Sequence, residues 1–155
     1  MLRAILSVIV GYVGLFIWVF ATMTGAWFAL GSDFAFNEGT YESSTGWSAL
    51  SLVLGAIGAV IAGLVTASIA RTATPVKVLA GIVLVFGLVE AVAYQMGDAT
   101  ADEAAQAVPV DELSVWQAAT TAQPQAWYSY TLPFIGCAGV VLGGRMRRQG
   151  GRPAD

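Results

Sequence analysis

Four stretches of this chain run for about twenty residues with almost no charge, and no other feature restricts its fold as tightly. An α-helix rises about 1.5 Å per residue, so about 20 apolar residues cross the roughly 30 Å hydrocarbon core of a bilayer. From Leu2 to Leu30 the single charge is Arg3. The tracts from about Trp47 to Ala70 and from about Trp127 to Gly144 carry none, and the tract from about Pro75 to Met96 carries Lys77 and Glu90. Backbone groups in lipid must be satisfied within the segment, which makes each tract a helix. Hydrophobic residues are 57% of the 155 and charged residues 11%, against about 25% charged in soluble domains. The expected fold is therefore an all-α membrane protein: one domain of four transmembrane helices in an antiparallel bundle. The spans are about 2–30, 47–70, 75–96 and 127–144, the connecting outer loops 31–46 and 97–126, and the tail 145–155.

The first tract exceeds the 7 to 15 residues of a secretory h-region, so it is read as a retained span. Ser44 or Thr45 caps the second. Thr74 caps the third, with Pro75 at the first helical position, where a missing N–H costs nothing. Arg145, Arg147 and Arg148 stop the fourth.

Charge fixes the expected orientation. Every base lies at the N-terminus (Arg3), between spans two and three (Arg71, Lys77) or in the tail (Arg145, Arg147, Arg148, Arg152). These places share one side of a four-span protein, and the positive-inside rule makes that side the cytoplasm. The other two connections hold Asp33, Glu38, Glu42, Asp98, Asp102, Glu103, Asp111 and Glu112 and no base. Trp27, Phe28, Trp47, Tyr94, Trp127, Tyr128 and Tyr130 fall at the outer interface, where amphipathic rings prefer the headgroup level. A bacterial cytoplasmic membrane is the expected location, with both termini inside.

Helices in lipid approach through small residues, since apolar surface gains little by leaving lipid tails. Span two carries Ser51, Gly55, Ala59, Gly63 and Ala67 at a spacing of four. Span one offers Ser7, Gly11, Gly14, Trp18, Ala21 and Gly25 in a heptad rhythm, and span three repeats it with Val76, Ala80, Val83, Gly87, Glu90 and Tyr94. Span four contributes Gly136, Gly139 and Gly143 below a helix-bending Pro133. The short connection from Arg71 to Thr74 predicts that spans two and three are neighbours.

One or two short helices are expected in the second outer loop. Thr100 and Glu103 have capping-box spacing for a helix to about Ala107. Asp111, with Val110 and Val115 as a hydrophobic staple, predicts another over Glu112 to about Ala122, with Leu113, Trp116 and Thr120 on one side, lying on the bundle's outer mouth or in the interface. The loop acids lack an EF-hand pattern and are read as solvating charge.

Histidine is absent, and no phosphate loop, dinucleotide fingerprint, nucleophile elbow or zinc spacing occurs. The chain is expected to be non-catalytic, with no cofactor and no metal; Ser43 and Ser44 beside Glu42 have no matching base, and Cys137 is a small apolar-tract thiol. No basic stripe lies outside the membrane flanks, which argues against nucleic acid. The expected partners are the lipid bilayer and either further copies of the chain or a larger membrane complex. Glu90 is the one acid within a span, and an ionisable group at depth faces the bundle or water. Counting from Met96, it lies roughly 9 Å below the span's outer end, level with Thr22 and Thr24 of span one and Tyr130 and Thr131 of span four. These are its expected hydrogen-bond partners in a buried seam; contact with another subunit and a proton or cation site are the alternatives. The expected function is that of an accessory or structural subunit or a self-associating bundle; the alternative is a small proton- or cation-coupled transporter or channel using Glu90.

Overall fold

The computed structural model describes residues 2–70, 72–95 and 108–149. Its helices are α1 (Leu2–Leu30), the one-turn α2 (Ser32–Ala35), α3 (Thr45–Ala70), α4 (Thr74–Gln95), α5 (Val115–Thr121) and α6 (Ala126–Gln149), with a 3-10 turn at Val110–Glu112 before α5. The four long helices are each long and apolar enough to cross a membrane. They form an antiparallel bundle, so the chain is a multi-pass membrane protein. Its loop end carries α2 and α5, and its tail end carries the start of α1 and the end of α6.

Small residues decide which helices touch. Around the bundle the order is α1, α3, α6, α4, with α3 and α6 in the most extensive contact. A Cβ on Gly63 meets the Val140 carbonyl, and one on Gly143 meets that of Val60. On Gly139 it lies 2.8 Å from the Ala59 Cβ and 3.2 Å from the Ala56 carbonyl oxygen. Only glycine lets these two backbones lie so close, which gains dispersion contact along the whole interface. Gly55 sits at the looser edge of the same face, its nearest neighbour being Leu132 Cδ1 at 3.5 Å. The second tight pair is α4 and α6, where Gly87 receives Pro133, Gly136 receives Val83 and Gly144 receives Val76.

α1 packs on α3 through a different stripe. Gly11 is filled by the Thr66 hydroxyl and leaves Leu79 Cδ2 of α4 only 3.0 Å from its Cβ position. Thr66 donates to the Ser7 carbonyl (3.3 Å), and Trp18 Nε1 donates to the Leu54 carbonyl (3.0 Å) while its ring covers Gly58. The tail-half core gathers Ala59, Ala62, Ala67, Val76, Leu79, Ala80 and Val140.

Several expectations change. Spans two and three are not neighbours but a diagonal of the bundle, with slight contact, because the small-residue face of α3 is taken up by α6. Gly14 is not a packing residue: nothing lies within 4 Å of its Cβ position, nor of that of Gly25. The α1 contact stripe runs Ser7, Gly11, Leu15, Trp18 in a helix's own repeat of about 3.6, which turns Gly14 outward. The arginines do not end the last helix, which continues to Gln149; they end its apolar part. Asp111 caps nothing. Residues 110–112 form the 3-10 turn, Leu113 is extended, and Ser114 caps α5 in a reciprocal capping box with Gln117. Trp116 is 70% exposed, while Ala118 and Thr121 are buried. The expected helix from Thr100 to Ala107 lies outside the described residues.

The loop end has its own small core. Ser44 Oγ accepts from the Trp47 N–H (3.0 Å), capping α3, and donates to the Phe34 carbonyl (2.5 Å). The two loops pair where Ser43 N–H donates to the Gln123 carbonyl (3.0 Å) and Gln123 N–H donates to the Tyr41 carbonyl (2.8 Å). Tyr41 Oη donates to the Val108 carbonyl (2.9 Å). Beneath this pairing Ala35, Phe36, Leu113 and Ala118 are buried against Trp27 and Trp47, whose rings meet edge to face at 6.3 Å.

Candidate functional site

A cavity separates α1 from α4 in the half of the bundle nearer the loops. α1 follows α3 all the way up, through Trp18 on Leu54, Ser51 Oγ donating to Met23 Sδ (3.4 Å), and Trp27 on Trp47. α4 follows α6, with Gly87 seated on Pro133. α1 and α4 meet at Gly11 and Leu79 in the tail half, but further up a cavity of about 590 Å³ lies between them. Its walls come from all four long helices, and α5 roofs it with Val115, Trp116, Ala118 and Ala119, followed by Ala122 just past its end. That volume is within the range of about 300–1,000 Å³ typical of small-molecule sites.

The lining is mostly apolar and aromatic. Its well-exposed members are Phe20 and Phe28 of α1, Trp116 and Ala119 of α5, and Glu90 of α4. They frame a mouth between α1 and α4, below α5. The mouth lies at the level of the apolar spans, so in a bilayer it faces lipid.

Three polar features stand out. Glu90 lies at the rim, five residues or roughly 8 Å before Gln95, and among the described residues nothing bonds its carboxyl group. Ser48 of α3 is 1% exposed and lines the cavity, and its Oγ has no hydrogen-bond partner. Thr24 lines the same cavity from α1.

Of the residues expected around Glu90, only Thr24 shares this space with it. Thr22 donates back to the carbonyls of Trp18 (2.8 Å) and Val19 (3.2 Å) of its own helix. Thr131 does the same toward Trp127 (2.6 Å), and Tyr130 lies on an exposed face of α6. The buried-seam placement of Glu90 is corrected as well. The buried stripe of α4 runs Val76, Leu79, Ala80 and then Ala91, 2% exposed. Glu90 stands about three turns beyond Leu79 and so on the same side of α4, the side that meets α1 at Gly11, but at its level that side opens on the cavity and Glu90 is exposed.

Ser48 escaped the sequence reading because a serine near a helix start is ordinary in any span. The legible signal was its spacing: Ser48 lies three residues before Ser51 and so on the same small-residue side of the helix as Ser51, Gly55 and Ala59. An unpaired buried hydroxyl costs about 1–3 kcal/mol. Ser48→Ala is therefore expected to raise the stability of the emptied protein by about 1 kcal/mol, read as a higher midpoint of thermal unfolding in detergent; a lower midpoint would show that the hydroxyl is bonded after all.

Among the described residues no three His, Cys, Asp or Glu side chains gather as a metal site. Comparison with protein families, with curated proteins and with solved structures gives no match.

Proposed function

We propose that this chain acts by binding rather than by chemistry, as a small non-catalytic accessory protein of a bacterial cytoplasmic membrane that holds a hydrophobic or amphipathic molecule in the cavity between α1 and α4. The observation that carries this reading is Ser48. A buried, unbonded hydroxyl in a roomy apolar cavity is costly when the cavity is empty and useful when a ligand supplies the missing partner. The same isolation argues against a nucleophile, because no base lies within hydrogen-bond reach of Ser48 Oγ.

Mass measurement of the protein released from lipid nanodiscs tests the reading. The wild type should carry a small molecule of a few hundred daltons, and Ala91→Phe and Ala119→Trp, which fill the cavity from two sides, should not. Equal retention by all three folded proteins would end it.

The distribution of bases supports an orientation with the paired loops outside. In a Cys137→Ala background, a cysteine at the exposed Thr40 should react with an impermeant thiol reagent applied to intact cells, and one at the exposed Thr72 should not. The reverse pattern would invert the assignment.

A cation-coupled transporter using Glu90 is the second reading, favoured by the position of Glu90 at the cavity rim. Below it, however, Gly87 is closed by Pro133 and Gly136 by Val83, and Leu79 and Val140 are wholly buried, so a through-path requires the tail half to repack. Proteoliposome flux abolished by Glu90→Gln would favour this reading; absence of flux in the wild type would remove it.

A further inference from the structure

The geometry points to a ligand class for this cavity: an apolar body of acyl-chain or fused-ring size carrying a protonated amine, which slides in sideways from the bilayer between α1 and α4 and sets its ammonium against Glu90. The inference rests on the binding reading above and adds to it the identity of the head and the direction of approach.

The apolar body follows from the walls. Trp27, Phe36, Trp47, Leu132 and the methyl groups of Ala91 and Ala118 make the lining mostly apolar. A polar ligand there would lose its hydration without replacement. The amine follows from the rim. Glu90 is the only acid in any of the four spans, and among the described residues it has no bonded partner. A carboxyl group at that depth is accommodated best by a donor that brings its own positive charge, because a charge-assisted hydrogen bond is roughly twice as strong as a neutral one. The loops above the mouth point the same way. Asp33, Glu38, Glu42, Asp111 and Glu112 are described there with no base among them, a field that draws cations and turns anionic headgroups away. Ser48, deeper in the cavity, then meets a second polar group on the ligand, such as a hydroxyl or carbonyl.

Approach from the side follows from the frame of the mouth. Phe20 and Phe28 are 54% and 78% exposed and line the cavity edge on α1, facing Glu90 across the gap. From above, the way is covered by α5 and the paired loops, whose Leu113 and Ala118 are buried on Phe36. An amphiphile already in the leaflet reaches the mouth without passing through water.

The test uses the full chain in nanodiscs of phosphatidylglycerol and phosphatidylcholine, with dodecylamine and dodecanol as paired probes and quenching of tryptophan emission as the readout. Trp27, Trp47 and Trp116 line the site, so binding reports directly. The wild type should bind the amine at least about tenfold more tightly than the alcohol. Glu90→Gln should erase that preference, weakening the amine by about tenfold while leaving the alcohol within about twofold. Equal binding of the two probes to the wild type, unchanged by Glu90→Gln, would overturn the amine assignment while the cavity reading stood. Undiminished binding of both probes to folded Ala91→Phe would instead remove the cavity reading. A final arm replaces phosphatidylcholine with phosphatidylethanolamine. Competition with dodecylamine in the wild type but not in Glu90→Gln assigns the amine to a membrane aminolipid, and lack of competition assigns it to a free lipophilic amine.

Discussion

Gly143→Leu is expected to take the bundle apart, whereas Gly14→Ala is expected to leave it intact or slightly more stable. A Cβ at position 143 runs into the Val60 carbonyl and comes within 3.0 Å of the Leu64 backbone nitrogen, so the obstacle is backbone and cannot swing aside. Overpacking a core by a methylene or two costs about 1–3 kcal/mol when side chains can adjust. Here α6 must move off α3 as a body, and the close contacts at Gly139 and Gly63 are lost with it, so the loss should exceed that range. Gly14 has nothing within 4 Å of its Cβ position; alanine there removes only glycine's helix penalty of about 1 kcal/mol. Thermal unfolding in mild detergent, followed by circular dichroism, compares the two. Similar midpoints for both variants would mean that α3 and α6 do not meet through this face.

Leu79→Ala carries the second large effect. Leu79 is wholly buried among the helices of the tail half, against Gly11. In water such a truncation costs about 2–5 kcal/mol, part for transfer and part for the cavity left behind. In lipid the transfer part shrinks, because a side chain in the unfolded reference is already among hydrocarbon tails. The cavity part remains, since its lining atoms lose dispersion partners. About 2 kcal/mol is the expected loss, with Leu79→Met nearly neutral because it preserves volume. Val78→Ala, one position along on an exposed face, should cost much less. A Val78→Ala loss as large as that of Leu79→Ala would show that the core lies elsewhere on α4.

The four helices were legible in the sequence because length, apolarity and charge segregation are properties of single segments. The α3 face with Ala59 and Gly63 was legible for the same reason, a spacing of four within one helix. What each helix meets was not. Gly11 and Gly14 look equivalent in a string of letters, and only the presence of Thr66 and Leu79 beside one of them separates the two. Glu90 was recognisable as unusual, but its seat depends on whether α1 still covers that side of α4 at its level, which no pattern within α4 records. The start of α5 was misjudged for a local reason: Asp111 and Ser114 are both good caps, and the reciprocal pairing with Gln117 favours the second. The cavity itself is a space between helices that fail to touch, and no residue pattern announces a contact that is missing.

The diagonal placement of α3 and α4 bears on how such a protein is made. These two helices leave the ribosome one after the other, yet the hairpin they form has little surface of its own to hold it together. α3 gains a companion early, in α1, but its glycine-lined side stays bare until α6, the fourth of the long helices, has been inserted, and α4 likewise waits for α6. Biogenesis therefore passes through a three-helix stage with an unsatisfied groove, and a chain cut short before Trp127 is left with the surface that membrane quality-control proteases or a neighbouring helix would be expected to seize.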